Sequence, residues 1–186
     1  PGDIKFKDIN GDGKITTDDR TNIGNPTPDF MYGGSISLTY KGFDFGVDLQ
    51  GVYGNEIYRA WNQGTFADFN YLEGRLERWN GVGTSNWEPV LNAGRANNYQ
   101  NSSYWIEDGS FFRIRNMQIG YTFNPTMLSK AKINSLRIYI NGQNIATFAN
   151  NTGYTPEIGG SATGFGIDNG TYPVPAIYTF GLNLNF

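Results

Sequence analysis

The sequence predicts an all-β fold whose strands form part of a transmembrane β-barrel. Segments of about ten residues alternate apolar and polar side chains, the pattern of a strand with one apolar and one polar face. No apolar run reaches the roughly 20 residues that a membrane-spanning helix needs. The 186 residues include 25 Gly and 16% aromatic side chains, which suits strands, long loops and aromatic belts.

The amino-acid composition also excludes several classes of function. The chain has no Cys and no His, which removes disulfides, thiolate chemistry and the commonest general base and zinc ligand. The formal net charge of −3 argues against nucleic acid as a partner. No signal peptide is visible, and the first residues have the composition of a loop. We therefore expect the sequence to be the C-terminal portion of a longer protein.

The first element, within residues 1–30, is a loop with the spacing of a calcium site. Residues 8–19 fit D-x-D/N-x-D-G-x-I-x-x-x-D, an EF-hand-type loop that closes on Asp. The predicted metal ligands are side-chain oxygens of Asp8, Asn10, Asp12 and Asp19 and the backbone carbonyl of Lys14. A structural Ca²⁺ would order this exposed loop. The alternative is a solvated loop of Asx-turns without an ion.

A β-hairpin is predicted over residues 31–53, with a tight turn at Lys41-Gly42. Its second strand has 11 residues. At about 3.3 Å each and a tilt of about 40°, they rise roughly 28 Å and match a hydrocarbon core. Asp44 and Asp48 fall on the polar face, where we expect them to line a wet lumen. The alternative is a pair of catalytic carboxylates in a hydrolase.

Residues 54–109 form the longest stretch without strand alternation, and one helix is expected there over 71–79. A loop of this length is usually functional. The candidate ligand-binding residues are Trp61, Trp87, Tyr104 and Trp105. Exposed aromatic rings among Asn, Gln and Arg could stack on sugars or hold peptides. The alternative is that these rings pack the loop against itself.

Two further strands are predicted over residues 110–146, joined by a short connection at 124–134. Arg113 and Arg115 share the phase of the apolar residues in the first of these strands. An Arg on a lipid-facing surface costs several kcal/mol at mid-depth. We therefore expect either that both Arg lie above the membrane or that a β-bulge near Asn116 shifts the phase.

The chain finishes with a loop over residues 147–175 and a strand over 176–186. From Tyr178 to Phe186 every second residue is apolar, and no charged residue interrupts the alternation. A strand that finishes on Phe is typical of membrane β-barrels, whose outer faces carry aromatic girdles. The alternative is the last strand of a soluble sandwich.

Short motifs follow one another in a fixed order along the whole chain. They are Gly2-Asp3-Ile4-Lys5-Phe6, the 8–19 loop with Arg20, Ile23-Gly24-Asn25-Pro26, Tyr40-Lys41-Gly42-Phe43-Asp44, Gln50-Gly51, Ile106-Glu107-Asp108-Gly109-Ser110-Phe111, Arg113-Ile114-Arg115-Asn116, Gly120-Tyr121, Gln143-Asn144, Gly170-Thr171-Tyr172-Pro173 and Phe186. In this order they resemble the C-terminal end of SusC/RagA-type TonB-dependent outer-membrane transporters.

This resemblance implies a barrel of about 22 strands, of which the chain supplies about the last five. It also implies a plug domain and a TonB box outside this sequence, and a SusD-type surface lipoprotein as partner. The implied function is import of oligosaccharides or peptides through the bacterial outer membrane, without catalysis. Short turns would be periplasmic, and residues 1–30, 54–109 and 147–175 would lie outside the cell.

One alternative of another class remains open at this point. A secreted, calcium-stabilised β-sandwich that binds carbohydrate would explain the Asp-rich loop and the aromatic residues. It would not explain strands of membrane-spanning length or the terminal Phe186.

Overall fold

The computed structural model describes residues 1–62, 71–91, 96–129 and 132–186. In chain order the strands are β1 (Phe30–Tyr40), β2 (Phe43–Tyr53), β3 (Glu56–Arg59), β4 (Ile106–Asp108), β5 (Phe111–Thr122), β6 (Ser135–Ala149), β7 (Ile167–Asp168) and β8 (Ile177–Asn185). The helical segments are α1 (Pro125–Leu128) and short 3-10 turns at Thr17–Asp19, Ala60–Asn62, Glu73–Glu77, Ala96–Tyr99 and Ser103–Trp105. Within the described residues, no helix has the length and apolarity needed to cross a membrane.

The larger sheet has five antiparallel strands in the order β1-β2-β5-β6-β8. β1 and β2 form a hairpin whose turn residues, Lys41 and Gly42, have φ angles of 46° and 89°. Two positive φ angles are the requirement of a type I′ turn, whose twist matches that of the flanking strands. The sheet is not closed into a barrel, and β1 and β8 are its edges.

A β-bulge interrupts the middle of this sheet. Asn116 of β5 pairs with Asp48 and Ile114 pairs with Leu49, so Arg115 is an extra residue opposite β2. The predicted bulge near Asn116 is therefore confirmed. It shifts the alternation of β5 by one place and puts Arg113 opposite Gln50, on the polar side of the sheet.

Alternation divides the larger sheet into two faces. One cross-strand row of the apolar face contains Leu38, Phe45, Ile119, Ile140 and Phe180. The adjacent row on the polar face contains Ser37, Gly46, Gln118, Asn141 and Thr179. Four residues of the apolar row are exposed, with Phe180 73% accessible, and Phe45 is half-buried. An exposed apolar surface of this kind marks a face that contacts a partner or a membrane.

The smaller sheet lies within the segments 54–109 and 147–175, which were predicted to be loops. β3 pairs antiparallel with β4 and parallel with β7. Its core contains Ile57 and Trp105, which are almost fully buried. Because β4 follows β3 by almost 50 residues and β7 follows by over 100, local sequence patterns carry no sign of this pairing.

The prediction of a helix over 71–79 is wrong in both the type and the extent of the helix. The segment contains a single 3-10 helix at Glu73–Glu77, and Leu72 and Arg78 on either side have extended backbones. Leu76 is largely exposed, so the segment lacks the buried apolar stripe that stabilises an α-helix.

Candidate functional site

The polar face carries a ladder of hydrogen bonds between side chains across four strands. Ser35 donates to Asp48 Oδ1 at 2.6 Å. Asn116 Nδ2 donates to Asp48 Oδ2 at 3.3 Å, and Asn141 Nδ2 donates to Asn116 Oδ1 at 2.7 Å. Asp48 therefore uses both carboxylate oxygens within the sheet.

A second interaction on the polar face spans three strands. Arg137 of β6 binds Asp44 of β2 in bidentate geometry, with Nε–Oδ1 and Nη2–Oδ2 distances of 3.0 and 2.6 Å. The pair crosses β5 above Gly120, where a Cβ would lie 2.5 Å from Asp44 Oδ1. Asp44, like Asp48, is thus held by fixed partners, which disfavours the alternative of two catalytic carboxylates.

The apolar face carries aromatic side chains at both ends. At the end near the long loops, Phe30 stacks on Tyr53 with ring centroids 5.0 Å apart. At the end near the hairpin turn, Phe43 and Tyr121 are 4.6 Å apart. The strand from Phe30 to Tyr40 has 11 residues. Its length, tilted by about 40°, fits the roughly 25 Å apolar band of a membrane β-barrel with aromatic girdles.

The two long loops fold together into a unit that we call the loop cap. It comprises the described residues between 54 and 109 and residues 150–171. Glu107 links its two parts, because it pairs with Arg59 at 3.0 Å and accepts hydrogen bonds from Thr152 N and Oγ1 at 2.9 and 2.6 Å. Glu157 also pairs with the buried Arg113 of β5, which fastens the loop cap to the sheet.

The four predicted aromatic ligand-binding residues occupy different environments. Trp105 is 0% accessible and donates from Nε1 to the Gln100 carbonyl at 3.1 Å. Tyr104 is also buried, and its ring meets Trp105 edge-on at 4.9 Å. These two rings pack the loop against itself, so the expectation that they are exposed is wrong, while their role in ligand binding stays a prediction. Both rings are among the buried apolar residues of the loop cap, as is Ile57.

The other two aromatic candidates remain closer to the surface. Trp87 is 70% accessible and lies 5.6 Å from the Tyr104 ring. Trp61 is partly buried, and its indole N–H has no hydrogen-bond partner among the described residues. Trp87 is therefore the candidate with a ring face available to a ligand.

Sequence reasoning missed the two Arg residues that organise this aromatic core. Arg75 donates to Tyr104 Oη at 2.8 Å and pairs with Glu88 at 2.8 Å. The Arg59 guanidinium lies 5.5 Å from the Tyr104 ring centroid and 5.3 Å from that of Trp105. Burial raises the pKa of Tyr104 to about 12, so its hydroxyl stays protonated. The excess of aromatic residues in the loop was the only signal, since these partners are distant in sequence.

The predicted calcium loop is held by bonds to its own backbone. Asp8 accepts from Gly11 N at 2.6 Å and Gly13 N at 2.8 Å. Asp19 accepts from Thr16 N at 2.7 Å and Ile9 N at 2.8 Å. These hydrogen bonds, that from Thr16 first, hold the pKa of Asp19 below its usual value.

The remaining predicted ligands complete this network without forming a cluster. Asn10 Oδ1 accepts from Asp12 N at 2.9 Å, and Asp12 Oδ1 accepts from Lys14 N at 2.8 Å. In the described part of the chain, no group of three or more acidic, His or Cys side chains could hold a metal ion. The geometry is that of consecutive Asx-turns, and Ca²⁺ binding rests on the spacing alone and stays a prediction.

No protein-family model matches the chain, but individual proteins do. TonB-dependent receptor P39 of Formosa agariphila is 36% identical over 195 residues, covering 100% of this chain and 19% of that receptor. Receptor P3 of the same organism is 34% identical over 197 residues, with the same coverage. The chain is homologous to SusC/RagA-type TonB-dependent receptors. SusC of Bacteroides thetaiotaomicron is 28% identical over 188 residues, covering 100% of this chain and 18% of SusC.

Solved structures show the same relationship at the level of the fold. The RagAB peptide transporter superimposes with a TM-score of 0.75 at 23% identity, covering 93% of this chain and 19% of the matched chain. The "closed-closed" state of the RagAB peptide importer superimposes with a TM-score of 0.74 at 23% identity, covering 96% of this chain and 20% of the matched chain. The chain thus spans about a fifth of its relatives and matches part of the RagA barrel. The family consists of transporters, which are not enzymes.

Proposed function

We propose that this chain is a wall segment of a TonB-dependent outer-membrane importer of nutrients. In this proposal the apolar face contacts lipid and the polar face lines the lumen. The observation that carries it is the five-stranded sheet, whose exposed apolar face has aromatic side chains at both ends. A soluble sandwich would bury that face against a second sheet, and the smaller sheet has only three short strands.

The complete importer would be a barrel of about 22 strands with a plug in its lumen. β1 and β8, the edges of the larger sheet, would pair with other strands of that barrel, because an open sheet edge is not tolerated in a hydrocarbon core. The plug would connect to TonB. The cargo would be oligosaccharides or peptides, and a SusD-type lipoprotein would cover the barrel. The fold likeness to a peptide importer supports peptides as one cargo class.

The orientation follows from the lengths of the connections. The Lys41-Gly42 turn and the 123–134 connection would face the periplasm, and the loop cap and residues 1–29 would face the cell exterior. Short turns on one side and long loops on the other are the general pattern of outer-membrane barrels.

The two faces can be tested with a matched pair of substitutions in β8. Phe180 lies on the apolar face opposite Ile140, and its neighbour Thr179 lies on the polar face opposite Asn141. An Arg at mid-depth on a lipid face costs roughly 2–4 kcal/mol, against little on a wet wall. We expect Phe180→Arg to reduce the folded barrel strongly and Thr179→Arg to leave most of it intact. The measurement is the heat-modifiable gel shift of the complete transporter in isolated outer membranes.

Equal tolerance of Arg at the two positions would contradict the proposal, since it would mean that neither face contacts hydrocarbon. Phe180→Leu is the control for simple loss of the aromatic ring. It should fold like the unmodified transporter, because Leu remains apolar.

A further inference from the structure

The three Arg residues of the polar face differ in their partners. Arg137 pairs with Asp44, and Arg113 pairs with Glu157 and donates to Thr147 Oγ1 at 2.7 Å. Arg115 instead donates to the neutral Gln50 Oε1 at 3.3 Å, and its side chain is exposed. Among the described residues, Arg115 alone of the three makes no ion pair.

The β-bulge accounts for the position of the Arg115 side chain. Arg115 is the extra residue of β5 between Ile114 and Asn116, and it reaches Gln50 on the polar face of β2. On its other side, β6 also departs from regular pairing, since Ala146 pairs with Ile114 and Gln143 with Asn116. Bulges re-aim side chains and occur often beside functional sites. Four residues at about 3.3 Å each place Arg115 roughly 13 Å along β5 from the end near the loop cap.

We propose that Arg115 binds a carboxylate group of the transported solute. This inference rests on the proposed function, in which the polar face lines the lumen. A guanidinium presents N–H donors in a planar fork that matches a carboxylate in bidentate geometry. Two carboxylates of this part of the chain already have other partners. Asp48 accepts hydrogen bonds from Ser35 and Asn116, and Glu157 pairs with Arg113.

The surroundings favour a singly charged group over a phosphate. Phosphate sites gather several Arg, Lys or backbone N–H donors around one anion. Here the other two Arg of the face already have carboxylate partners, and the side chains nearest in the pairing are the amides of Gln50, Asn116 and Gln143. A carboxylate reaches such a site either as part of a peptide or as a uronate of an acidic oligosaccharide.

The test uses the complete transporter, purified in detergent, and two pairs of probes. The first pair is a tryptic casein digest with free carboxylates and the same digest with its carboxylates converted to amides. The second pair is oligogalacturonides and neutral malto-oligosaccharides. Retention of each probe at equilibrium is measured by mass spectrometry for the unmodified protein and for Arg115→Gln, Arg115→Lys and Lys7→Gln.

We expect the unmodified transporter to prefer the acidic member of one pair, which identifies the source of the carboxylate. Loss of a charge-assisted hydrogen bond lowers affinity about tenfold or more, so Arg115→Gln should lose that preference. Arg115→Lys should retain part of it, since the charge remains and the fork is lost. Lys7→Gln removes an exposed charge outside both sheets and should change nothing.

Retention of acidic and neutral probes to the same extent, or a preference unchanged in Arg115→Gln, would overturn the inference and leave the import function standing. Retention of none of the four probes would argue against the proposed cargo classes, and the carboxylate site would be rejected with them. The heat-modifiable gel shift checks that each variant is folded. If Arg115→Gln fails this check, the comparison of Arg115→Lys with the unmodified protein decides, since both keep the charge at the bulge.

Discussion

At the scale of single residues, several glycines mark places where a large side chain lies across the sheet. A Cβ at Gly51 would overlap the Tyr32 ring, and one at Gly181 would overlap the Tyr139 ring. Tyr139 in turn lies 4.8 Å from the Arg137 guanidinium. These glycines are therefore required by close packing of neighbouring side chains, whereas Gly42 is required by its positive φ.

The Asp-rich loop gives a prediction at the same scale. We expect calorimetric titration of the complete transporter with Ca²⁺ to show binding that Asp12→Ala abolishes, because Asp12 supplies the fifth position of the loop. Asp18→Ala is the matched control, since Asp18 lies in the same segment but outside the predicted ligand set. Identical heats for Asp12→Ala and the unmodified protein would favour the loop of Asx-turns, which the backbone hydrogen bonds of Asp8 and Asp19 hold without an ion.

At the scale of elements, the β-bulge lets β5 keep its apolar residues on the apolar face and Arg113 on the polar face. Ile114 faces Leu49 and Met117 faces Val47 on the apolar side. An odd spacing between two residues on one face is impossible in a regular strand. The extra residue at Arg115 permits it and keeps Arg113 on the polar side, where Glu157 and Thr147 bind it.

Deletion of Arg115 should therefore be tolerated better than deletion of a residue from the regular part of β5. Without the extra residue, Ile114 is adjacent to Asn116, so Ile114 keeps the apolar side and Arg113 the polar side. Deletion of Gln118, which pairs regularly with Gly46, shifts the alternation by one place and turns part of β5 onto its other face. We expect the folded fraction, measured by the heat-modifiable gel shift, to fall several-fold more for deletion of Gln118 than for deletion of Arg115. Equal folded fractions would contradict the assignment of Arg115 as the extra residue of the strand.

The contrast between β5 and the loop cap explains what the sequence could predict. The alternation of β1, β2 and β8 follows from neighbouring residues, and the phase conflict at Arg113 and Arg115 is a local signal that predicts a bulge. The smaller sheet and the burial of Tyr104 and Trp105 depend on pairing between distant segments. Aromatic residues in a loop carry no local sign of whether they face solvent or a core, so the sequence left both possibilities open.

At the scale of the whole molecule, an ion pair joins the loop cap to the larger sheet. Arg113 of β5 holds Glu157. The first residues of the chain are bonded to the loop cap. The buried Asn98 accepts a hydrogen bond from Ile4 N at 2.9 Å, and Val90 N donates to Gly2 O at 2.8 Å. A cap fixed in this way would present Trp87 and other exposed side chains at one end of the wall.

The proposed orientation of this cap gives a prediction that uses the absence of Cys in the chain. Asn97 and Thr163 are exposed residues of the loop cap, and Thr126 is exposed in the connection at the opposite end of the sheet. In intact cells, a membrane-impermeant maleimide should label Asn97→Cys and Thr163→Cys, because both would face the medium. Thr126→Cys should react only after the outer membrane is permeabilised, since it would face the periplasm. Any Cys in the remainder of the transporter is first replaced by Ser, so that labelling reports the introduced thiol. The reverse pattern, with Thr126→Cys labelled in intact cells and the two cap positions protected, would invert the proposed orientation and place the loop cap inside the periplasm.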